Sequence, residues 1–118
     1  MPYRLFFGDL LLGEIEPIDF DFPGSFGEFR PSDADDRPEL RRRIADYAAS
    51  SAAVERTMLE QGDNEAWEAR MLEHDARFLD LIASRDWWLE DDRGERSAIL
   101  VPSFSGDSTV VWRWDFDR

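Results

Sequence analysis

Two helical patterns between residues 38 and 85 constrain the fold of this chain more than any other feature of its sequence. In each, apolar side chains recur every three or four residues, which places them on one face of a helix. The patterns are separated by Gly62-Asp63, where glycine suits the end of one helix and aspartate can cap the next. So short a connection predicts an antiparallel helical hairpin over residues 37–85. The two stripes are Leu40, Ile44, Tyr47, Ala48, Ser51, Val54 and Met58, then Trp67, Met71, His74, Asp75, Phe78, Leu81 and Ile82.

Residues 1–16 have the pattern of a β-hairpin. Gly8-Asp9 suits a two-residue turn with glycine at its first central position. In the resulting register, Phe6 and Leu11 are partners on the second face of the hairpin. Two interpretations of that pair stay open: a loop covers it, or it forms an exposed apolar patch that binds a partner. The other predicted pairs are Phe7 with Leu10, Leu5 with Leu12, Tyr3 with Glu14 and Arg4 with Gly13.

Residues 17–36 show no helical period and are predicted to form a long aromatic loop. Residues 18–22 alternate and could form a short edge strand before Pro23-Gly24. A connection of this length in a small domain is often functional. Its phenylalanines are expected to hold it against the sheet. The aromatic residues concerned are Phe20, Phe22, Phe26 and Phe29.

The remaining residues, 86–118, are predicted to form a three-stranded meander. Asp91 to Gly94 has the composition of a turn between its first two strands. In the last strand, Val110, Trp112, Trp114 and Phe116 share one face by the two-residue period, and this face is expected to pack on the helices.

Together these segments predict an α+β fold with the order ββ-αα-βββ. The sheet would be mostly antiparallel with five strands, and the helical hairpin would pack on one of its faces. A length of 118 residues and a 42% hydrophobic content are sufficient for a core, so residues 1–118 are predicted to form a single domain.

The charge balance limits the class of partner. The chain has 27 acidic and 14 basic residues, giving a net charge of −13. Such a field repels phosphates and anionic lipids, so neither nucleic acid nor a membrane is an expected partner, whereas a basic protein is. The 14 basic residues are all arginine, which we interpret as the mark of a GC-rich, bacterial coding sequence. With no cysteine, no signal-peptide pattern and no long apolar run, a cytoplasmic protein is expected.

Candidate catalytic groups are few. His74 is the only histidine, and no nucleophile motif accompanies it, so packing explains it better than general-base catalysis. The close carboxylate pairs lack the spacing of a calcium loop, and the glycines never form a phosphate-binding pattern. We therefore expect no enzymatic activity, no metal and no cofactor.

These observations favour a small acidic protein that acts by protein–protein binding, as an inhibitor, an immunity-type protein or a regulator. The alternative is a small-molecule binding module with a pocket under the phenylalanine-rich segment 17–36. The residues predicted to form the interaction surface or pocket are Phe6, Leu11, Phe20, Phe22, Phe26, Phe29 and Arg30.

Overall fold

A computed structural model describes residues 2–19, 24–61, 65–106 and 108–116, and the statements below concern these residues. They form seven strands and three helices. The strands are β1 (Tyr3–Phe7), β2 (Leu10–Asp19), β3 (Gly24–Pro31), β4 (Trp87–Glu90), β5 (Arg96–Ala98), β6 (Ser103–Phe104) and β7 (Thr109–Arg113). The helices are α1 (Pro38–Gln61), α2 (Glu65–Arg77) and α3 (Leu79–Ile82).

The predicted α+β class is confirmed, but the predicted number of strands is wrong. In the described residues the strands form one antiparallel sheet of seven, in the order β5-β4-β1-β2-β3-β7-β6. The two strands missing from the prediction are β3, which arises within the supposed loop 17–36, and the two-residue β6. The N-terminal hairpin thus lies in the middle of the sheet, with β4 on one side and β3 on the other.

The predicted turn between β1 and β2 is present. Gly8 has a φ of +62°, the left-handed backbone conformation for which glycine suits such a turn. Phe7 pairs with Leu10 and Phe6 with Leu11, as predicted.

Beyond these pairs a β-bulge changes the register. Leu5 pairs with Gly13, which leaves Leu12 as the extra residue on β2. Because the bulge adds one residue, Ile15 takes the buried side of the strand and Glu14 the exposed side. A regular strand would have buried the carboxylate instead. The predicted pairs Leu5–Leu12, Tyr3–Glu14 and Arg4–Gly13 are therefore wrong.

β3 lies in the segment that was predicted to be a loop. Its glycine, Gly27, is required by close packing against β2. Gly27 is paired with Pro17 and is buried. A Cβ at this position would lie 2.5 Å from the carbonyl oxygen of Glu16 and 2.8 Å from Cγ2 of Ile15. Only glycine fits so close a contact with β2, although glycine in a sequence is more typical of a turn. The predicted edge strand 18–22 lies partly outside the described residues.

The sheet curls until its two edges meet. β5 ends at Ala98 and β6 begins at Ser103, yet these strands occupy opposite ends of the strand order. Between them, Ile99 forms an antiparallel bridge with Trp114, and the amide of Asp115 donates to the carbonyl of Ala98 at 3.0 Å. The segment from β5 to β6 thus bonds first to β4 and then to β7, closing the sheet into a small barrel.

The last strand and the turn before it agree in part with the prediction. Asp91 accepts two backbone hydrogen bonds within the turn, and Gly94 has a φ of +81°. Val110 and Trp112 are buried as predicted. Phe116, predicted on the same packed face, is 73% exposed because it lies beyond the end of β7, so that part of the prediction is wrong.

The helical hairpin is confirmed by contacts that run in opposite directions along α1 and α2. Arg43, early in α1, pairs with Asp80 beyond the end of α2 at 2.6 Å. Further along α1, Ser50 contacts His74 at 2.7 Å. α1 begins at Pro38, where a missing N–H costs nothing. The predicted break at residues 62–63 lies outside the described residues.

The helices cover the inner side of the sheet, and one core cluster joins the two layers. Tyr47 of α1 is the central helical residue of this cluster. The centroid of its ring lies 6.3 Å from that of Trp87 and 6.2 Å from that of Phe104, both in the sheet. Phe78, at the junction of α2 and α3, packs against the same tyrosine. The other buried members of the cluster are Leu5, Leu10, Leu12, Ile15, Ile44, Leu81, Leu89, Ile99, Val110 and Trp112.

The outer face of the sheet carries a row of alternating charges across five strands. The backbone register places Arg96, Glu90, Arg4, Glu14 and Arg30 side by side. Arg4 and Arg96 both pair with Glu90, at 3.1 and 3.4 Å. Opposite charges on neighbouring strands support the register, although exposed pairs of this kind contribute little each.

Replacing Tyr47 by phenylalanine is expected to lower the free energy of unfolding by about 1–3 kcal/mol. The phenol is buried and donates to the carbonyl oxygen of Pro102 at 2.6 Å. Burial raises the pKa of Tyr47 to about 12, so the donor proton stays in place. Phenylalanine keeps the ring but leaves that carbonyl without its donor. Urea denaturation measures the change, and an unaltered midpoint would contradict the role given to this bond.

Candidate functional site

The predicted site residues that the structure describes do not all lie on one face of the sheet. Phe6 and Leu11 are partners on the outer face of the sheet, but Phe6 is only 9% exposed. The guanidinium of Arg96 lies over its ring, 4.1 Å from the centroid. The guanidinium of Arg96 therefore covers Phe6. Leu11 is partly buried, and its carbonyl accepts a hydrogen bond from Arg41 at 2.8 Å.

The other predicted residues that the structure describes belong to β3. Phe26 is partly buried and pairs with the exposed Val111. Arg30 belongs to the charged row and forms an ion pair with Glu28 at 3.2 Å. Phe29 faces the opposite, inner side, with its ring 5.3 Å from that of Phe104. Phe20 and Phe22 lie outside the described residues.

Phe29 lines a groove beside α1. We call it the alanine groove, because Ala45, Ala48, Ala49 and Ala52 of α1 form one wall. These alanines recur at helical spacing, so their small side chains leave open space between the helix and the sheet. The volume is about 600 Å³. The opposite wall and floor include Leu12, Phe29, Pro31, Ile44 and Phe104.

The charged groups that line the alanine groove, among the described residues, are two arginines. Arg41 is committed to Asp36 and to the carbonyl of Leu11. Its hydrogen bond holds the pKa of Asp36 below its usual value. Arg42 is exposed, and no carboxylate in the described part of the chain forms an ion pair with it. An apolar groove with an available cation is unusual in a chain where acidic residues outnumber basic ones about two to one.

The second groove lies between α1, α2 and the connection from β5 to β6. We call it the methionine groove, because Met58 of α1 and Met71 of α2 both line it. Its volume is about 330 Å³. Its charged lining, in the part of the chain that the structure describes, consists of Glu55 and Asp75, with His74 beside them. The two grooves on either side of α1 therefore have lining charges of opposite sign.

His74 joins the two helices rather than standing alone at a boundary. It is 8% exposed, its Nδ1 is 2.7 Å from Oγ of Ser50, and its ring contacts Tyr47 and Phe78. A serine beside a histidine is also the geometry of an activated nucleophile. However, among the described residues no carboxylate forms a hydrogen bond with this imidazole to orient it. Packing therefore remains the better interpretation of His74.

Acid is expected to weaken the protein through His74. Burial lowers the pKa of this imidazole relative to the unfolded chain, where it titrates near 6.5. The unfolded chain thus binds the proton more readily. The stabilisation is complete above pH ~6.5 and is lost as the pH falls through the lower pKa of the folded state.

Thermal unfolding of the wild type and of His74→Gln between pH 7.5 and 5 measures this effect. The nearby charges are the same in both proteins; they are those of Asp46, Glu55, Arg70, Glu73, Asp75 and Arg77. The wild type should lose stability relative to the variant as the pH falls. Two parallel curves would show that His74 does not titrate in this range.

Comparisons with known proteins do not place this chain in a family. No family model matches it, and neither a curated protein nor a solved structure gives a match. In the described residues no group of three or more metal-binding side chains occurs. Within the same residues, no helix has the length and apolarity to cross a membrane. A function must therefore be inferred from the grooves and charges of the chain itself.

Among the described residues that line the alanine groove and the methionine groove, the sequence predicted only Phe29 as a site residue. The readable signal for the alanine groove was the spacing of Ala45, Ala48, Ala49 and Ala52, which marks a narrow helix face. Met58 and Met71 were assigned to core stripes, and their spacing alone does not show that a groove separates them. That Arg42 has no ion pair with a described carboxylate can be seen only from the positions of its neighbours in the folded chain.

Proposed function

We propose that this protein binds an apolar molecule carrying an anionic group, and that the alanine groove is the site. The observation that carries the proposal is the combination of an apolar groove with Arg42 at its wall. A volume of about 600 Å³ suits a small ligand, since such sites commonly span about 300–1,000 Å³. This corresponds to the binding-module hypothesis for the segment 17–36, which contributes Phe29, Pro31, Ser32 and Ala34 to the lining. The proposal is binding without catalysis.

The apolar walls of the alanine groove determine the apolar part of the ligand. Arg42 determines the sign of its charge. Phe29, Leu12 and Ile44 offer apolar contact, and burying a methylene group there is worth about 0.8 kcal/mol. Ser32 and Ser108 also line the groove and can donate hydrogen bonds. A guanidinium binds a carboxylate with two parallel hydrogen bonds, so an apolar carboxylate is the simplest ligand that fits.

Calorimetry with dodecanoate, dodecanol and dodecylamine tests this proposal. We expect dodecanoate to bind most tightly and dodecylamine least. Arg42→Gln should weaken dodecanoate several-fold and leave dodecanol unchanged, since it removes only the charged contact. The matched control is Arg56→Gln, because Arg56 is an exposed arginine of the same helix that does not line the groove.

A second pair of variants tests the location. Ala45→Leu places a larger side chain in the groove and should reduce binding of both dodecanoate and dodecanol. Ala76→Leu adds the same atoms at an exposed position of α2, away from the groove, and should change neither. Equal affinity for dodecylamine and dodecanoate, or an Ala45→Leu variant that binds normally, would contradict the proposal.

A second candidate function is the binding of a basic protein, as an inhibitor, an immunity-type protein or a regulator. The net charge of −13 favours it, because complementary fields speed association. Immobilised protein should retain basic proteins from a cell extract at low salt and release them at high salt. Retention that does not depend on salt would argue against this function.

A further inference from the structure

We infer that the methionine groove is an interaction surface for a basic, amphipathic segment of a partner protein. This inference deepens the second candidate function, since it names the surface and the kind of partner. The groove is separate from the alanine groove, with α1 between them. Of the residues predicted from the sequence as an interaction surface, those that the structure describes do not line it.

The apolar walls of the groove come from four parts of the chain. Met58 lies on α1, Trp67 and Met71 on α2, Ile82 on α3, and Val101 on the connection between β5 and β6. Met58, the last member of the apolar stripe of α1, is 40% exposed. Methionine is unbranched and adapts its shape, which is why it recurs at surfaces that receive apolar side chains of a partner.

The position of Met58 explains why the groove is open. Val54 is buried, whereas the six residues that follow it in α1, 55–60, are all partly or fully exposed. The same apolar stripe therefore serves the core in its first part and faces solvent in its last part. An apolar side chain from a partner would complete the packing that the sheet provides for the earlier residues.

The charges of the groove determine the sign of that partner. Glu55 and Asp75 line it, and among the described lining residues there is no arginine. Glu55 accepts a hydrogen bond from the hydroxyl of Ser105, which fixes its position. Asp75 is exposed. A segment that inserts an apolar side chain between the methionines and places lysine or arginine on either side would satisfy both carboxylates.

A second copy of this chain is a poor occupant of the groove. Each copy carries a net charge of −13, so two copies repel each other at low salt. Nucleic acid and anionic lipid surfaces are disfavoured by the same field. A basic segment of another protein is the remaining occupant that matches both the apolar walls and the carboxylates.

Fluorescence anisotropy with a labelled peptide tests this inference. The probe has leucine at helical spacing and lysine at its other positions, and the control peptide has glutamate in place of lysine. We expect the lysine peptide to bind, with an affinity that falls as salt is added, and the glutamate peptide not to bind. The full-length protein is used throughout.

Two matched pairs of variants locate the binding surface. Met58→Gln should weaken the lysine peptide about fivefold or more, whereas Leu59→Gln, at an exposed neighbour outside the groove, should not. Asp75→Asn should weaken it about two- to fivefold. Glu73→Gln makes the same change of charge on the same helix outside this groove and should have a smaller effect.

The outcomes separate the surface from the function. Equal effects within each pair of variants would overturn the assignment of the groove, while leaving the binding of basic partners in place. No binding of the lysine peptide, or equal binding of the glutamate peptide, would overturn both. Self-association through the groove, detected by sedimentation as a dimer that Met58→Gln abolishes, would also overturn the inference.

Discussion

Gly13→Ala is expected to lower the free energy of unfolding by about 3 kcal/mol or more, the upper end for overpacking a well-packed site. Gly13 lies on β2 next to the bulge, and it is paired with Pro31 of the neighbouring strand β3. An added Cβ would overlap the carbonyl oxygen of Arg30 and lie 2.9 Å from Cε1 of Phe29. The first of these atoms belongs to the backbone of a paired strand, so it cannot move without disturbing the sheet.

The matched control for this change is Gly106→Ala. A Cβ at Gly106 would meet nothing within 4 Å, and its φ is not in the left-handed region. The substitution should therefore be neutral, or stabilise slightly by about 0.4–1 kcal/mol through restriction of the unfolded chain. Urea denaturation of both variants measures the difference. Similar losses in the two would contradict the close approach of β3 to β2.

Phe78→Ala is expected to cost about 3–5 kcal/mol, the usual range for removing a buried phenylalanine. The ring is fully buried and contacts Tyr47 and His74. The guanidinium groups of Arg43 and Arg77 lie over it, 4.8 and 4.9 Å from its centroid. Truncation removes the contact that joins α1, α2 and α3 at one point.

The neighbouring residue provides the control. Leu79 is 60% exposed, so Leu79→Ala should change the free energy of unfolding by about 0.5 kcal/mol or less. Since domains of this size are stable by about 5–15 kcal/mol, the loss at Phe78 removes a large fraction of the total. Circular dichroism at increasing urea concentration distinguishes the two variants. A mild effect of Phe78→Ala would show that the helices are held elsewhere.

Local patterns were sufficient to predict the elements that depend on local chemistry. The helix that starts at Pro38, the turn at Gly8 and the turn at Gly94 all follow from residues that favour those conformations by themselves. The break after Arg77 was not predicted. Phe78 continues the apolar stripe of the second helix, so the periodic pattern gives no sign that α2 ends there.

Features that depend on contacts between distant residues could not be predicted. β3 lies in a segment that was predicted as a loop, and only the proximity of Ile15 and Glu16 in the folded chain explains why this strand needs glycine at position 27. The bulge at Leu12 arises because a regular strand would bury Glu14. The candidate sites have the same origin: Phe29 was identified, but its position opposite an alanine face and near Arg42 is a property of the folded chain.

The strand order of the sheet makes β1 and β3 depend on partners that are synthesised much later. β3 pairs with β7, and β1 pairs with β4, so both connections span the whole helical hairpin. During synthesis, α1 and α2 can form from neighbouring contacts while β3 still lacks its partner. The edge of β3 then stays open to other chains until residues 109–113 arrive. Slow translation, or late pairing of β7, would therefore make this protein more prone to aggregation than unfolding of α1 or α2 would.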